Sequence, residues 1–293
     1  MAEIFAGAEL GGTKCILLLA RGPDDIVARV QVPTTSVDET LGAMEAILAD
    51  WQNDHAFAAL GIGSFGPLDL DRASRTYGQM TTTPKPGWAG APVLERLQRA
   101  AGVPAHIDTD VNGAALAEMR WGSGRGMDDF AYITVGTGVG VGLIVNGEPT
   151  RGFAHCELGH IRPARLPGDD WQGSCPFHGA CIEGLTSGPA LKARLGKDAA
   201  GIAANHPVWD SVAWSLAQMC HAIVCAAAPR AFAIGGGVVS GNPHLIERIE
   251  TMLVDSLAGY MHLPTGKPYL RAPELGDSAG PLGAIALAME AKP

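Results

Sequence analysis

No stretch of the 293 residues approaches the roughly 18 consecutive apolar residues that a membrane-spanning helix needs, so the sequence offers no candidate span. The N-terminus has no basic region followed by an apolar run and a small-residue cleavage site, and no signal peptide is expected. Positive charge is short as well. Lys and Arg number 21 against 30 Asp and Glu, a net charge of −9. Nucleic acid and anionic membrane surfaces both recruit basic patches, so neither is an expected partner. Six cysteines in a chain of this length make no disulfide framework, and the expected compartment is the reducing cytoplasm.

What is present is a globular composition. With 47% hydrophobic and 17% charged residues the chain can bury a large core, and its length allows two domains. The 39 glycines follow no period, which points to tight turns and backbone-lined ligand loops rather than disorder.

The densest chemistry lies between His160 and Cys181. His160, Cys175, His178 and Cys181 bring two imidazoles and two thiols together, three of them within seven residues. Zn²⁺ favours a tetrahedral set of sulfur and imidazole nitrogen, and a loop of this spacing can wrap one ion. Four protein ligands leave no open position, so such an ion would hold a loop rather than activate water. The alternative is a pair of ordinary loop thiols. Cys15, Cys156, Cys220 and Cys225 lie in apolar or Ala-rich surroundings and read as small core residues.

Along the chain, Ile4 to Ala8 and Cys15 to Ala20 are apolar runs flanking the turn Gly11-Gly12-Thr13-Lys14, which predicts a β-hairpin. Helices are expected over 40–54, 93–101 and 112–121, and strands over 58–64 and 105–109, the latter delivering Asp110 to its end. The pattern then restarts. Phe130 to Val135 and Val141 to Val145 flank Gly136-Thr137-Gly138-Val139-Gly140, a second strand, glycine turn and strand. Two such units half a chain apart predict two related halves facing one another across a cleft. Helices over 211–228, 245–257 and 280–291 and a strand over 231–234, running into Gly235-Gly236-Gly237, complete an α/β alternation.

The glycine turns match neither a Walker loop nor a dinucleotide fingerprint. They share exposed backbone N–H groups and a threonine hydroxyl, the equipment of a phosphate-binding concavity, and by themselves they are equally good tight hairpin turns. Asp110, between strand and helix, can take a proton from a nearby hydroxyl, or Asp110 or Thr109 can simply cap the helix. Glu157 and Glu183 flank the cysteine–histidine cluster. Carboxylates fixed there can accept from adjacent sugar hydroxyls, and the plain alternative is a solvated loop charge.

Glu9-Leu-Gly-Gly-Thr-Lys14, Asp110-Val-Asn-Gly-Ala-Ala115, Gly136-Thr-Gly-Val-Gly-Val-Gly142, Glu157-Leu-Gly-His160, Cys175-Pro-Phe-His-Gly-Ala-Cys181 and Glu183-Gly-Leu-Thr-Ser-Gly-Pro-Ala190, in this order and spacing, resemble the ROK family (repressors, open reading frames, kinases). The resemblance covers nearly the whole chain. It implies an α/β, two-domain, actin-like or hexokinase-type ATPase fold (ribonuclease H-like) with an inserted structural zinc loop. The small domain would take residues 1–112 and 278–293 and the large domain residues 113–277.

Within the family the chain looks most like the bacterial fructokinases. Glu9, Thr109 before the acid, the Cys-Pro-x-His-Gly-x-Cys spacing and the Thr83–Trp88 segment carry that likeness, while Gln79 and Met80 depart from it and leave the preferred sugar open.

The resemblance implies transfer of the γ-phosphoryl group of Mg-ATP to the 6-hydroxyl of a hexose, most simply D-fructose, with Asp110 as general base. Gly11, Gly12, Thr13, Lys14, Gly136, Thr137 and Gly138 would bind phosphate, and Gly235, Gly236 and Gly237 would lie by the adenosine. Gly66, Thr109, Asp110, Glu157, His160 and Glu183 would contact the sugar. His160, Cys175, His178 and Cys181 would hold Zn²⁺, and ATP, Mg²⁺ and structural Zn²⁺ complete the cofactor set. Other readings are a kinase for mannose, glucose or an N-acetylhexosamine, or a catalytically silent sugar sensor. Repressors of the family carry a helix-turn-helix ahead of the first hairpin. Here that hairpin begins within ten residues, which argues against DNA binding. Family habit implies a homodimer.

Overall fold

The computed structural model describes residues 3–83 and 85–291. Pro84 of the Thr83–Trp88 segment lies outside the described residues, as do Met1, Ala2, Lys292 and Pro293 of the expected small domain. The chain forms two compact units. The first comprises Met1–Arg125, Pro149–His155 and Asp277–Pro293, and the second Gly126–Glu148 and Cys156–Gly276.

The first unit opens with β1 (Phe5–Leu10) and β2 (Lys14–Gly22), the expected hairpin, but the chain then adds β3 (Asp25–Pro33) to make a three-stranded meander. The sequence hides β3 because it is an edge strand. Only Val32 is fully buried, and the alternation of Ala28, Val30 and Val32 with Arg29 and Gln31 is interrupted by the apolar pair Ile26-Val27. Helix α1 (Val37–His55), strand β4 (Leu60–Ser64), helix α2 (Val93–Ala101), strand β5 (Ala105–Thr109) and helix α3 (Asp110–Trp121) follow. The sheet order is β3-β2-β1-β4-β5, with β1, β4 and β5 parallel.

In the second unit β6 (Phe130–Val135) and β7 (Val139–Val145) form the second hairpin, and β8 (Glu148–Pro149) follows where the chain leaves that unit. Helices α4 (Ile182–Thr186), α5 (Gly188–Leu195) and α6 (Val208–Ala227) precede β9 (Phe232–Gly235), α7 (Gly237–Ser240), α8 (His244–Leu257) and β10 (Leu270–Arg271). This sheet has the order β10-β9-β6-β7-β8. Read from the other edge, it repeats the first: an antiparallel hairpin at the centre with two parallel strands added beside its first strand. The half-chain repeat of the glycine turns is therefore a repeat of topology.

The last helix, α9 (Ala279–Glu290), returns to the first unit and packs on β1, β4 and α3. Its sequence is apolar around the whole circumference and ten residues from Ala279 to Ala288 are small or aliphatic, which suits a helix buried on all sides. Close approach needs glycine. A Cβ on Gly61 of β4 would lie 1.8 Å from the Ala284 carbonyl oxygen. The expected boundary at 112/113 falls inside α3, three residues from its start. The helix stays whole in the first unit because it packs along α9, where Gly113 and Gly283 meet backbone to backbone.

Of the four cysteines read as core, Cys15 and Cys220 are buried and Cys156 is half-buried, but Cys225 is exposed. It shares the outer face of α6 with Ala222 and Ala226, where an alanine-rich sequence gives no polar signal to distinguish outside from inside. No helix among the described residues is long and apolar enough to cross a membrane.

Candidate active site

In the first unit, strand register lines up the candidate residues. Leu10 of β1 pairs with Ser64 of β4, and Ser64 with Thr109 of β5, so the three parallel strands end in one row. The next residues are Gly11, Phe65 and Asp110, with Gly66 one further. Ligand sites in open α/β sheets lie at this carboxyl end of the strands. The first glycine turn is fixed by its own backbone, Gly11 N donating to Lys14 O at 3.0 Å. It is also held from outside: Thr34 Oγ1 donates to Gly11 O at 2.7 Å, and Lys85 Nζ to Gly12 O at 2.8 Å and Thr34 O at 3.3 Å. Gly12, Thr13 and Lys14 face solvent. Lys85 thus reaches the turn itself, and Trp88 Nε1 donates to Thr35 O at 2.9 Å. Met80, suspected of shaping the sugar end, is instead a core side chain 2% exposed and packed in the cluster with Leu68 and Trp88.

Asp110 is the first residue of α3. The cap is Thr109, whose Oγ1 accepts the Asn112 N–H at 3.2 Å, an arrangement worth about 1 kcal/mol to a helix. Thr109 is 5% exposed and its hydroxyl keeps one proton to donate. Asp110 Oδ1 accepts the Val111 N–H at 2.9 Å. The N-cap of α3 is thus Thr109, and the Asp110 carboxylate holds the next amide of the same turn.

Glu9, one strand residue before the first turn, carries a carboxyl raised to about 7, first by burial and then by the Asp110 charge, against the lowering influence of Lys14 and Arg29. It sits against the start of α9, where a Cβ on Gly280 would lie 1.8 Å from Glu9 Oε1. Two carboxyls therefore share the carboxyl end of this sheet.

The second unit brings together the remaining turns. Gly136 N donates to Gly138 O at 2.9 Å, closing the β6–β7 turn, and Gly188 N donates to Gly136 O at 2.8 Å. Gly236, with φ of +82°, lies against Thr134 and Val135 at the end of β6, so Gly235, Gly236 and Gly237 adjoin the 136–138 turn. Glu183 of α4 reaches this turn too: its Oε2 accepts the Val139 N–H at 3.1 Å beside Gly138. The family resemblance implies only a sugar contact for Glu183. In the structure it fastens the second glycine turn, with Oε1 left for a further donor. Glu157 and His160 flank a single 3-10 turn over Leu158–His160. That turn is pressed onto β7, since a Cβ on Gly159 would lie 1.9 Å from Val139 O, and Glu157 is exposed.

His160, Cys175, His178 and Cys181 converge, with one ligand atom from each lying within 4.8 Å of all the others. Cys175 Sγ is 3.8 Å from His160 Nδ1 and 3.8 Å from His178 Nδ1, and Cys181 Sγ is 3.7 Å from His160 Nδ1. Zn–S of about 2.3 Å and Zn–N of about 2.0–2.1 Å in a tetrahedron give ligand–ligand edges of roughly 3.4–3.8 Å, so the donor set fits zinc. Burial pushes the Cys181 thiol up to about 11, and a bound cation would favour its thiolate. With Nδ1 turned to the sulfurs, His160 keeps Nε2 for another partner.

Three participants were not read from the sequence. Arg151 pairs with Asp108, and His155 accepts the Leu68 N–H at 3.0 Å while its ring lies against Gly66. Asp108 had a signal, as a carboxylate within β5 two positions before Asp110. Arg151 and His155 had none, because their partners lie 43 and 87 residues away.

The profile of the ROK family matches residues 5–291. A fructokinase from Zymomonas mobilis is 39% identical over 295 residues, covering 99% of this chain and 98% of that protein. Among solved structures, a ROK hexokinase from Thermus thermophilus superposes with a TM-score of 0.80 at 28% identity, covering 98% of each chain. A ROK family glucokinase from Streptomyces griseus, in complex with glucose and AMPPNP, superposes with a TM-score of 0.77 at 27% identity, covering 98% of this chain and 99% of that one.

Proposed function

The chain belongs to the ROK family, and from that membership we propose that it phosphorylates D-fructose at the 6-hydroxyl. It is an ATP-dependent hexose kinase with the hexokinase-type α/β fold. Support for fructose is the whole-length likeness to a fructokinase, together with the Glu9, Thr109 and Cys-Pro-x-His-Gly-x-Cys features of that branch.

In this reading Asp110 is the general base. It takes the proton from the sugar hydroxyl as that oxygen attacks the γ-phosphorus, a reaction that asks the protein chiefly for position and charge compensation. Gly11, Gly12, Thr13, Lys14 and the 136–138 turn present N–H groups and a cation to phosphate oxygens, and Gly235, Gly236 and Gly237 adjoin the nucleotide. ATP arrives as its Mg²⁺ complex, which supplies the remaining charge neutralisation. Glu157, His160 through Nε2, Glu183 through Oε1, Thr109 as a donor and the Gly66 backbone hold sugar hydroxyls. Zn²⁺ held by His160, Cys175, His178 and Cys181 would clasp the loop that carries these groups. A homodimer and the cytoplasm belong to the same reading.

The observation that carries it is the row in which Asp110, directly after β5, follows in line with Gly11, directly after β1, with β4 between the two strands. A coupled ADP-release assay with Mg-ATP across fructose, mannose, glucose, N-acetylmannosamine and N-acetylglucosamine tests it. Fructose should give the highest kcat/KM. Higher turnover of another hexose reassigns the sugar, and no turnover of any points to a sensor.

A further inference from the structure

The segment Pro149–His155 belongs to the first unit, although its sequence neighbours on both sides belong to the second. It is a short strap closed on itself, with Arg151 and His155 bridged antiparallel and Gly152 N donating to Ala154 O at 3.0 Å. Two side chains fasten it. His155 accepts the Leu68 N–H, and Arg151 Nη2 lies 2.6 Å from Asp108 Oδ2.

Asp108 is fully buried, while Arg151 is 30% exposed. The other Asp108 oxygen, Oδ1, accepts both the Thr109 N–H and Asn112 Nδ2, each at 2.7 Å. One carboxylate thus holds the residue before Asp110 and the residue two after it, while Thr109 Oγ1 holds the Asn112 N–H. The turn that aims Asp110 hangs on Asp108, and Asp108 on Arg151.

We propose that Arg151 is a positioning residue for phosphoryl transfer, acting through Asp108 to fix the turn that presents Asp110. The inference rests on Asp110 being the base. A buried carboxylate needs a partner for its charge, and removing the partner of such a pair is strongly unfavourable. Without the guanidinium, Asp108 must find another donor or draw in water, and either alters what it accepts from Thr109 and Asn112. Displacement of a reacting group by about 1 Å can cost roughly 100-fold in rate. Neither glycine turn is part of this network, so nucleotide binding stays intact.

The test is Arg151→Ala in the full-length protein, assayed with saturating Mg-ATP and hexose. kcat should fall by about 10- to 100-fold with both KM values within about twofold. Added guanidinium or ethylguanidinium should restore part of it, because the missing group has a defined place. In an Asp108→Asn background, Arg151→Ala should have little further effect. Unchanged kcat, a parallel rise in both KM values, or a loss that guanidinium does not rescue while Tm drops would each overturn the proposal. If Arg151→Ala fails to fold, Arg151→Lys takes its place, with an intermediate kcat and unchanged KM expected and wild-type kcat contradicting. Turnover retained in Asp110→Asn would instead remove the base assignment on which the proposal stands, so the two failures are distinct.

Discussion

Glu183 Oε2 accepts the backbone N–H of Val139 at 3.1 Å, and so ties the helix that begins at the last cysteine of the metal cluster to the second glycine turn. Cys181 itself caps that helix, its Sγ accepting the Gly184 N–H at 3.4 Å. Cysteine of the cluster, helix cap, carboxylate and glycine turn form one continuous chain of contacts over 139–184.

Loss of the metal should therefore be felt by the nucleotide as well as the sugar. Chelation, or Cys181→Ser, is expected to raise the KM for ATP and for hexose together, each by several-fold, with metal analysis confirming release of the ion. Glu183→Ala should reproduce the ATP effect with the metal still bound. A KM for ATP unchanged in all three would show that the clasp serves the sugar alone.

Glu9 predicts a pH dependence of stability. Its carboxyl ionises near 4.5 in an unfolded chain and at about 7 in the folded one, burial being the main cause and the Asp110 charge the second. The folded state thus favours the protonated form. The stabilisation is complete below about pH 4.5 and is lost as pH rises through about 7, amounting to a few kcal/mol at most at about 1.4 kcal/mol per unit. Thermal melts from pH 5 to 8 should show Glu9→Gln gaining on the wild type as pH rises. Parallel curves for the two proteins would contradict the assignment.

Much of this was legible in the chain. Gly11 and Gly136 announce themselves because a hairpin interrupted by glycine between apolar runs has few alternatives, and the Cys175–Cys181 spacing is too dense for chance. The edge strand β3 was not fully legible, because its alternation of Ala28, Val30 and Val32 with Arg29 and Gln31 is interrupted by the apolar pair Ile26-Val27. Nor was the role of Glu183 on Val139, since its sequence position says only that it follows a metal ligand. Glu9 could be read as a motif member but not as a carboxyl raised to about 7. That property comes from α9, whose Gly280 is 271 positions away and lets the helix start against it. Local signals marked the loops, and long-range packing decided what each side chain touches.

The account turns on Asp110 as the base, and replacing it with asparagine keeps the volume and the start of α3 while removing the proton acceptor. Asp110→Asn should retain fructose and ATP affinity within about threefold by calorimetry and lose at least about 1,000-fold in kcat, in keeping with the loss of a general base together with its hold on the attacking hydroxyl. A kcat within tenfold of the wild type, with binding intact, would contradict the account.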